Sequence, residues 1–90
     1  MANEDAISEI KKNLGTDKIV IGADRTIKLL KQGALKSVFL AKNAPVELKD
    51  DIKRYSGMSD VSFVELDITN EELAVICRKP FNVAVISVMR

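Results

Sequence analysis

The chain has 90 residues, of which 47% are hydrophobic and 30% charged, and its formal net charge is +1. This length suffices for one modest core, so we expect residues 1–90 to form a single domain. The lone Cys77 excludes an intramolecular disulfide, and the lack of histidine excludes a Cys/His zinc site and every mechanism that needs histidine.

The charges are divided unevenly between the two halves. Residues 1–45 hold eight Lys/Arg and five Asp/Glu, net +3, and residues 46–90 hold six and eight, net −2. This division indicates either an electrostatic field with a positive and a negative end or an ordinary variation of surface charge along the chain. No apolar run approaches the roughly 20 residues of a membrane span, and the acidic, polar start is unlike a signal peptide. We therefore expect a cytoplasmic protein with no membrane partner.

The first half of the chain predicts two helices that alternate with two strands. Apolar residues recur at helical spacing in each helix, and a glycine, Gly15 or Gly33, follows each one. Short apolar runs bounded by polar residues indicate buried strands. The predicted elements are a helix capped by Asn3, a strand at Lys18–Ile21, a helix at Asp24–Gln32 and a strand at Ser37–Ala41.

The second half repeats this alternation. Thr69 and Glu72 have the spacing of a capping box, which marks a helix start, and Pro80 forbids that helix from continuing. The predicted elements are a helix from Pro45 towards Gly57, a strand at Val61–Leu66, a helix after Thr69 and a strand at Asn82–Met89. The order predicts an α/β fold, a three-layer α/β/α sandwich with a central four-stranded mixed sheet.

This sequence has few of the motifs that are typical of enzymes. It contains no P-loop, no glycine-rich dinucleotide fingerprint and no nucleophile elbow. The paired carboxylates Asp50/Asp51 and Glu71/Glu72 are typical of solvated helix surfaces, and Cys77 among apolar neighbours is typical of a core residue. We expect no catalytic residue, no metal and no cofactor.

A segment that connects a strand to a helix, Gly22–Lys28, suits an anion. Gly22 has no side chain, so another backbone can approach closely, and the free N–H groups of a helix start suit a phosphate. Arg25 and Lys28 lie one turn apart and add positive charge. A plain strand–helix turn capped by Asp24 explains the segment equally well.

Two further segments lie beside predicted strand ends. Asn43, in Lys42–Pro45, can reach a base edge or a sugar, or it can stabilise its own turn. The segment Arg78–Ala84 combines cations with Phe81, which either stacks on a flipped-out base or is buried. If these loops fall on one side of the sheet, the three segments form one joint site.

Three stretches resemble the L30e family of archaeal and eukaryal large-subunit ribosomal proteins, within the wider L7Ae superfamily of kink-turn RNA-binding proteins. The stretches are Lys18–Pro45, Leu48–Tyr55 and Glu71–Val88. The specific matches within them are Gly22, the element Lys31, Gln32, Gly33 and Lys36, the element Ala41–Ala44, and Glu72 with Leu73.

The resemblance implies a structural constituent of the large ribosomal subunit that is monomeric when free and binds a kink-turn, a sharply kinked helix–internal loop–helix RNA. Lys28 would neutralise phosphate, Asn43 would bond a nucleotide, and Phe81 and Val83 would pack against a flipped-out nucleotide. The implied RNA-binding residues are Gly22, Ala23, Asp24, Arg25, Lys28, Asn43, Lys79, Phe81, Asn82, Val83 and Ala84.

The sequence departs from the family pattern at a few positions. Asp24 stands where a basic or amide residue is usual, and Asn82 stands where some relatives carry arginine. Ala74 and Arg78 replace glycines that usually flank the fourth helix. The alternative is a paralogue of the same fold that serves another ribonucleoprotein, such as an RNase P or guide-RNA particle, or a protein partner.

Overall fold

Helices and strands alternate along the whole described chain. The computed structural model describes residues 3–90, apart from the side chains of Asn3, Glu4 and Ser59. The elements are α1 (Asn3–Asn13), β1 (Ile19–Ile21), α2 (Ala23–Lys31), β2 (Leu35–Leu40), α3 (Val46–Ser59), β3 (Ser62–Glu65), α4 (Asn70–Cys77) and β4 (Val85–Met89). The predicted order is confirmed, whereas the predicted cap at Asn3 involves a side chain outside the described residues.

The four strands form one mixed sheet in the order β1-β4-β2-β3. Strand β4 runs antiparallel to β1 and β2, and β2 runs parallel to β3. Alternate residues of β2 face opposite sides, since Phe39 belongs to one buried cluster while Val38 and Leu40 belong to another. Helices α1 and α4 cover the first face and α2 and α3 the second, so the predicted three-layer sandwich is confirmed.

Most predicted boundaries differ from the observed ones by up to three residues, and two of these differences have a local reason. The last strand begins at Val85 rather than Asn82, because the Val83 N–H donates to the Asn70 carbonyl, 3.2 Å away, instead of pairing in the sheet. Helix α3 continues through Gly57 to Ser59 and ends at Asp60, which adopts a left-handed conformation with φ 55°.

A buried polar contact holds α2 on the sheet. The hydroxyls of Thr26 and Ser87 lie 3.1 Å apart, both residues are fully buried, and Ser87 Oγ also donates to the Val20 carbonyl at 3.4 Å. The apolar residues that recur at helical spacing in α2 do not include Thr26. Among them Leu30 is fully buried and Ile27 is half-buried.

Candidate nucleic-acid interface

The three predicted segments meet at one edge of the sheet, because β1 and β2 end where the antiparallel β4 begins. The Gly22 N–H donates to the Val85 carbonyl at 3.3 Å, and the Ala41 N–H donates to the Ala84 carbonyl at 2.9 Å. Residues 84 and 85 therefore bridge the segment after β1 and the segment after β2. The loop geometry that a joint site requires is present.

An open cleft lies between the end of α1, the start of α2 and the loop that joins α4 to β4. Its volume is about 1290 Å³. Most of the predicted site residues line it, namely Gly22, Ala23, Arg25, Lys79, Phe81, Asn82, Val83 and Ala84. Asp24, Lys28 and Asn43 are not among the lining residues, so the structure brings together the first and third segments more closely than the second.

The charge of this cleft is strongly one-sided. Lys11, Arg25, Arg78 and Lys79 line it, and no Asp or Glu stands among its described lining residues. Within the described residues none of these four cations forms an ion pair; the recorded pairs are Lys36–Glu9 and Arg54–Asp51. A chain of net charge +1 therefore concentrates free positive charge at one edge, where it attracts an anion.

Helix α2 begins without a side-chain cap. Its N-cap is Gly22, with φ 120° and ψ 146°, and among the described residues no side chain accepts from the first-turn N–H groups. A Cβ built on Gly22 meets no heavy atom within 4 Å, so the backbone conformation, and not crowding, is what favours glycine. Asp24 lies in the first turn and does not cap the helix. This start offers free N–H groups and a positive dipole end to an anion.

Asn43 supports a neighbouring helix. Its Oδ1 accepts from the Asn70 N–H at 2.8 Å, and its Nδ2 donates to Asn70 Oδ1 at 3.0 Å. The carbonyl of Asn70 in turn accepts from Val83, in the loop before β4. Asn43 thus holds the start of α4 and one end of the cleft loop, while its amide keeps a second Nδ2 hydrogen for another acceptor.

The two apolar residues predicted to pack on a nucleotide lie in different surroundings. Phe81 is 55% exposed, so the alternative of a buried Phe81 is wrong and its ring is accessible to a base. Val83 is only 2% exposed and packs in the same cluster as Ile10 and Leu73. Because Val83 is a core residue, it adds at most a small part of the cleft floor.

Lys28 lies beside the cleft. It is exposed and stands three residues after Arg25, which makes the two residues neighbours on the surface of α2.

The end of α1 also lines the cleft, which the sequence analysis did not predict. The lining residues from α1 and the turn after it are Lys11, Leu14 and Thr16. Basic residues in a last helical turn were a signal for them, but only the tertiary fold brings them to the loop before β4.

The described residues contain no arrangement typical of a catalytic or metal centre. Burial raises the pKa of the Cys77 thiol above its ordinary value, and the positive charge of Lys79 offsets part of that rise. Cys77 is therefore a neutral core residue at pH 7, as expected. Within residues 3–90 no three potential metal ligands cluster, and no helix there has the length and apolar character needed to cross a bilayer.

Fold and cleft together define a small α/β/α protein with a cation-rich cleft that has no Asp or Glu among its described lining residues. The chain belongs to the ribosomal protein L7Ae/L30e/S12e/Gadd45 family, whose model matches residues 4–90. It is 39% identical over 87 residues to large ribosomal subunit protein eL30 of Methanocaldococcus jannaschii, covering 97% of this chain and 79% of that one. It is 38% identical to eL30 of Sulfurisphaera tokodaii, covering 91% and 77%.

Solved structures extend the likeness to the fold. A Giardia lamblia 15.5kD RNA binding protein superposes with a TM-score of 0.87 at 19% identity, covering 97% of this chain and 72% of that one. A protein of unknown function from Bacillus halodurans superposes with a TM-score of 0.81 at 18% identity, covering 93% and 83%. The predicted family and fold are confirmed, and the membership in a family of ribosomal structural proteins confirms that the chain is not an enzyme.

Proposed function

We propose that this protein is a component of the large ribosomal subunit that binds a kink-turn RNA at the edge where α2 begins. One observation carries the proposal: an uncapped helix start and an exposed phenylalanine flank a single cleft that has cations and no carboxylate among its described lining residues. The eL30 relatives, which match most of this chain, support the assignment to the large subunit and to the cytoplasm.

The backbone of the RNA binds at the start of α2. The first-turn N–H groups donate to one phosphate there, and Arg25 and Lys28, which are neighbours on the surface of α2, neutralise adjacent phosphates. A kink brings phosphates of two strands close together, so a compact group of cations suffices. This explains how a chain with a net charge of only +1 binds RNA.

Selectivity for the kink comes from the loop before β4. Phe81 stacks on a base that the kink has flipped out of the helix, and Asn82, which is exposed next to it, bonds a base or sugar edge. A straight A-form duplex keeps its bases stacked and offers Phe81 no partner. Asn43 contributes through its spare Nδ2 hydrogen and by holding the start of α4.

One residue argues for a related but different RNA. Asp24 places a carboxylate in the first turn of α2, where it favours the helix dipole but repels phosphate. The specific alternative is a paralogue with the same fold that serves another ribonucleoprotein, whose RNA places no phosphate next to the Asp24 carboxylate. Asp24 is exposed, which allows its side chain to lie in solvent beside either RNA.

Two measurements test the proposal. Sedimentation of native cell extract at two salt concentrations should place the protein with the large subunit; a free or differently sized RNA–protein particle would favour the alternative. A kink-turn RNA with 2-aminopurine at the flipped-out position should change fluorescence on binding, because Phe81 covers that base. The change should disappear with Phe81→Ala and persist with Met58→Ala, which removes another exposed apolar side chain, on α3.

A further inference from the structure

The cleft extends beyond the residues proposed to hold the kink. Besides Phe81 and Lys79, its lining includes Val75 of α4 and the C-cap residue Arg78 that follows this helix. It also includes Lys11 near the end of α1 and Leu14 just after that helix. Val75 is 77% exposed although it is apolar. A second patch of cations and apolar side chains therefore adjoins the proposed kink-binding patch, without an acidic side chain among the described residues between them.

Arg78 has a backbone conformation that glycine adopts more easily. It is the C-cap of α4 with φ 58° and ψ 43°, a left-handed position at which glycine is the favoured residue. An arginine held there costs stability relative to glycine. Arg78 lines the cleft and forms no ion pair among the described residues. The less stable backbone conformation therefore carries a cation that is available to bind an anion.

The chemistry of this extension suits single-stranded nucleic acid. Cations that follow a backbone, combined with apolar side chains on which bases rest, are the features of such sites. A cleft of about 1290 Å³ also exceeds the roughly 300–1,000 Å³ of typical small-molecule pockets. An acidic peptide meets the same cations, but continuity with the edge assigned to RNA favours the nucleic acid.

We propose that the cleft between the end of α1 and the loop before β4 binds a single-stranded stretch of RNA that leaves the kinked element. This inference rests on the proposed function. Lys11 and Arg78 hold its phosphates, and Leu14 and Val75 contact its bases. The protein thus recognises a kinked RNA together with its unpaired flank.

The test compares two RNAs, a blunt kink-turn and the same kink-turn with a single-stranded extension at the end nearest α1, each extension polarity being tried. The extension should tighten binding by about fivefold or more, the smallest effect expected for one stacked base. Arg78→Gly and Lys11→Gln should each remove most of that gain and reduce the magnitude of the salt slope for the extended RNA by about 0.7. Because both residues line the same cleft as the kink-binding residues, the gain is measured for each variant as the ratio of its affinities for the extended and the blunt RNA. Arg78→Lys should retain part of the gain.

Matched controls separate the contact from bulk charge and from backbone strain. Lys12→Gln removes an exposed cation from the same turn of α1 but outside the cleft. Asp60→Gly relieves the other left-handed non-glycine residue, φ 55°, which does not line the cleft. Both should keep the gain from the extension, and thermal unfolding should show that Arg78→Gly folds at least as stably as the wild type.

The outcomes distinguish the two proposals. Preference for the kinked RNA without a gain from either extension overturns the cleft inference and leaves the proposed function intact. An equal loss with Lys12→Gln would mean that bulk charge alone produces the gain, and it also overturns the inference. Arg78-dependent binding of a glutamate-rich peptide, with no gain from the extensions, would assign the cleft to protein. No preference for the kinked RNA at all contradicts the proposed function.

Discussion

Two helices, α2 and α4, begin close to the same edge of the sheet, and their starts are built in opposite ways. At α4, Thr69 Oγ1 accepts from the Glu72 N–H at 3.3 Å, Glu72 accepts in return from the Thr69 N–H, and Asn43 accepts from the Asn70 N–H. At α2 the N-cap is a glycine, and among the described residues no side chain accepts from its first-turn N–H groups. The fold satisfies the start of α4 and leaves the start of α2 open, which is why we propose that an external anion binds at α2.

The largest expected effect concerns the loop beside the open start. Phe81→Ala should weaken binding of kinked RNA by roughly 1–3 kcal/mol, because a base loses its stacking partner. Stability should change little, since Phe81 is 55% exposed. RNA titration and chemical denaturation of the same preparation measure both quantities. If Phe81→Ala unfolds the domain while its folded fraction binds RNA normally, the stacking role is wrong.

A substitution at the capped start of α4 should have the opposite consequence, a loss of stability without a loss of RNA affinity. Thr69→Ala should lower the free energy of unfolding by about 1 kcal/mol, since it deletes the N-cap acceptor of α4. Affinity of the folded protein for kinked RNA should stay the same. Urea denaturation followed by circular dichroism measures the first quantity and RNA titration the second. A loss of RNA affinity without a loss of stability would mean that α4, too, presents its start to RNA.

Lys28 tests the charge around the open start. Lys28→Ala should weaken the binding of every kinked sequence by the same factor, because one phosphate contact is lost. The slope of log affinity against log salt should become less negative by about 0.7–0.9. Lys53→Ala, on the exposed surface of α3, is the matched control and should change neither. Sequence-dependent losses with Lys28→Ala would contradict a phosphate contact and indicate a base contact.

The smallest expected effect comes from comparing the first-turn carboxylate of α2 with one of the first-turn carboxylates of α4. Asp24→Asn should strengthen RNA binding by about 0.3–1 kcal/mol, because it removes a negative charge beside the phosphate, and it should lower stability by a similar amount, because that charge favours the helix dipole. Glu71→Gln makes the same change at α4 and should affect stability alone. Unchanged RNA affinity in Asp24→Asn would place that carboxylate away from the RNA.

Features encoded within a few neighbouring residues were predictable from the sequence. The capping box of Thr69 and Glu72 spans four positions and is present as predicted. The alternation of apolar runs and helical stripes predicted all eight elements and the layered fold. The sequence predicts site segments at Gly22–Lys28 and Arg78–Ala84, beside the ends of predicted strands. The fold brings Gly22 and the second segment to one edge of the sheet.

Features that depend on distant residues were not predictable in this way. The partner of Asn43 is Asn70, which lies 27 positions away in the sequence, so the local pattern indicates only a nucleotide contact or the residue's own turn. Thr26 reads as a polar surface residue until Ser87 supplies a buried partner. The contribution of Lys11 to the cleft requires α1 and α4 to pack side by side, which no local pattern specifies.

We propose that the open start of α2 and its neighbouring loop recognise a kink in RNA. The most direct test is a titration of the purified protein against a kink-turn RNA and a straight duplex of equal length at two salt concentrations. We expect a clear preference for the kinked RNA, with a slope of log affinity against log salt of about −2 to −3 if about three phosphates are neutralised. Equal affinity for both RNAs, or binding that does not depend on salt, would contradict it.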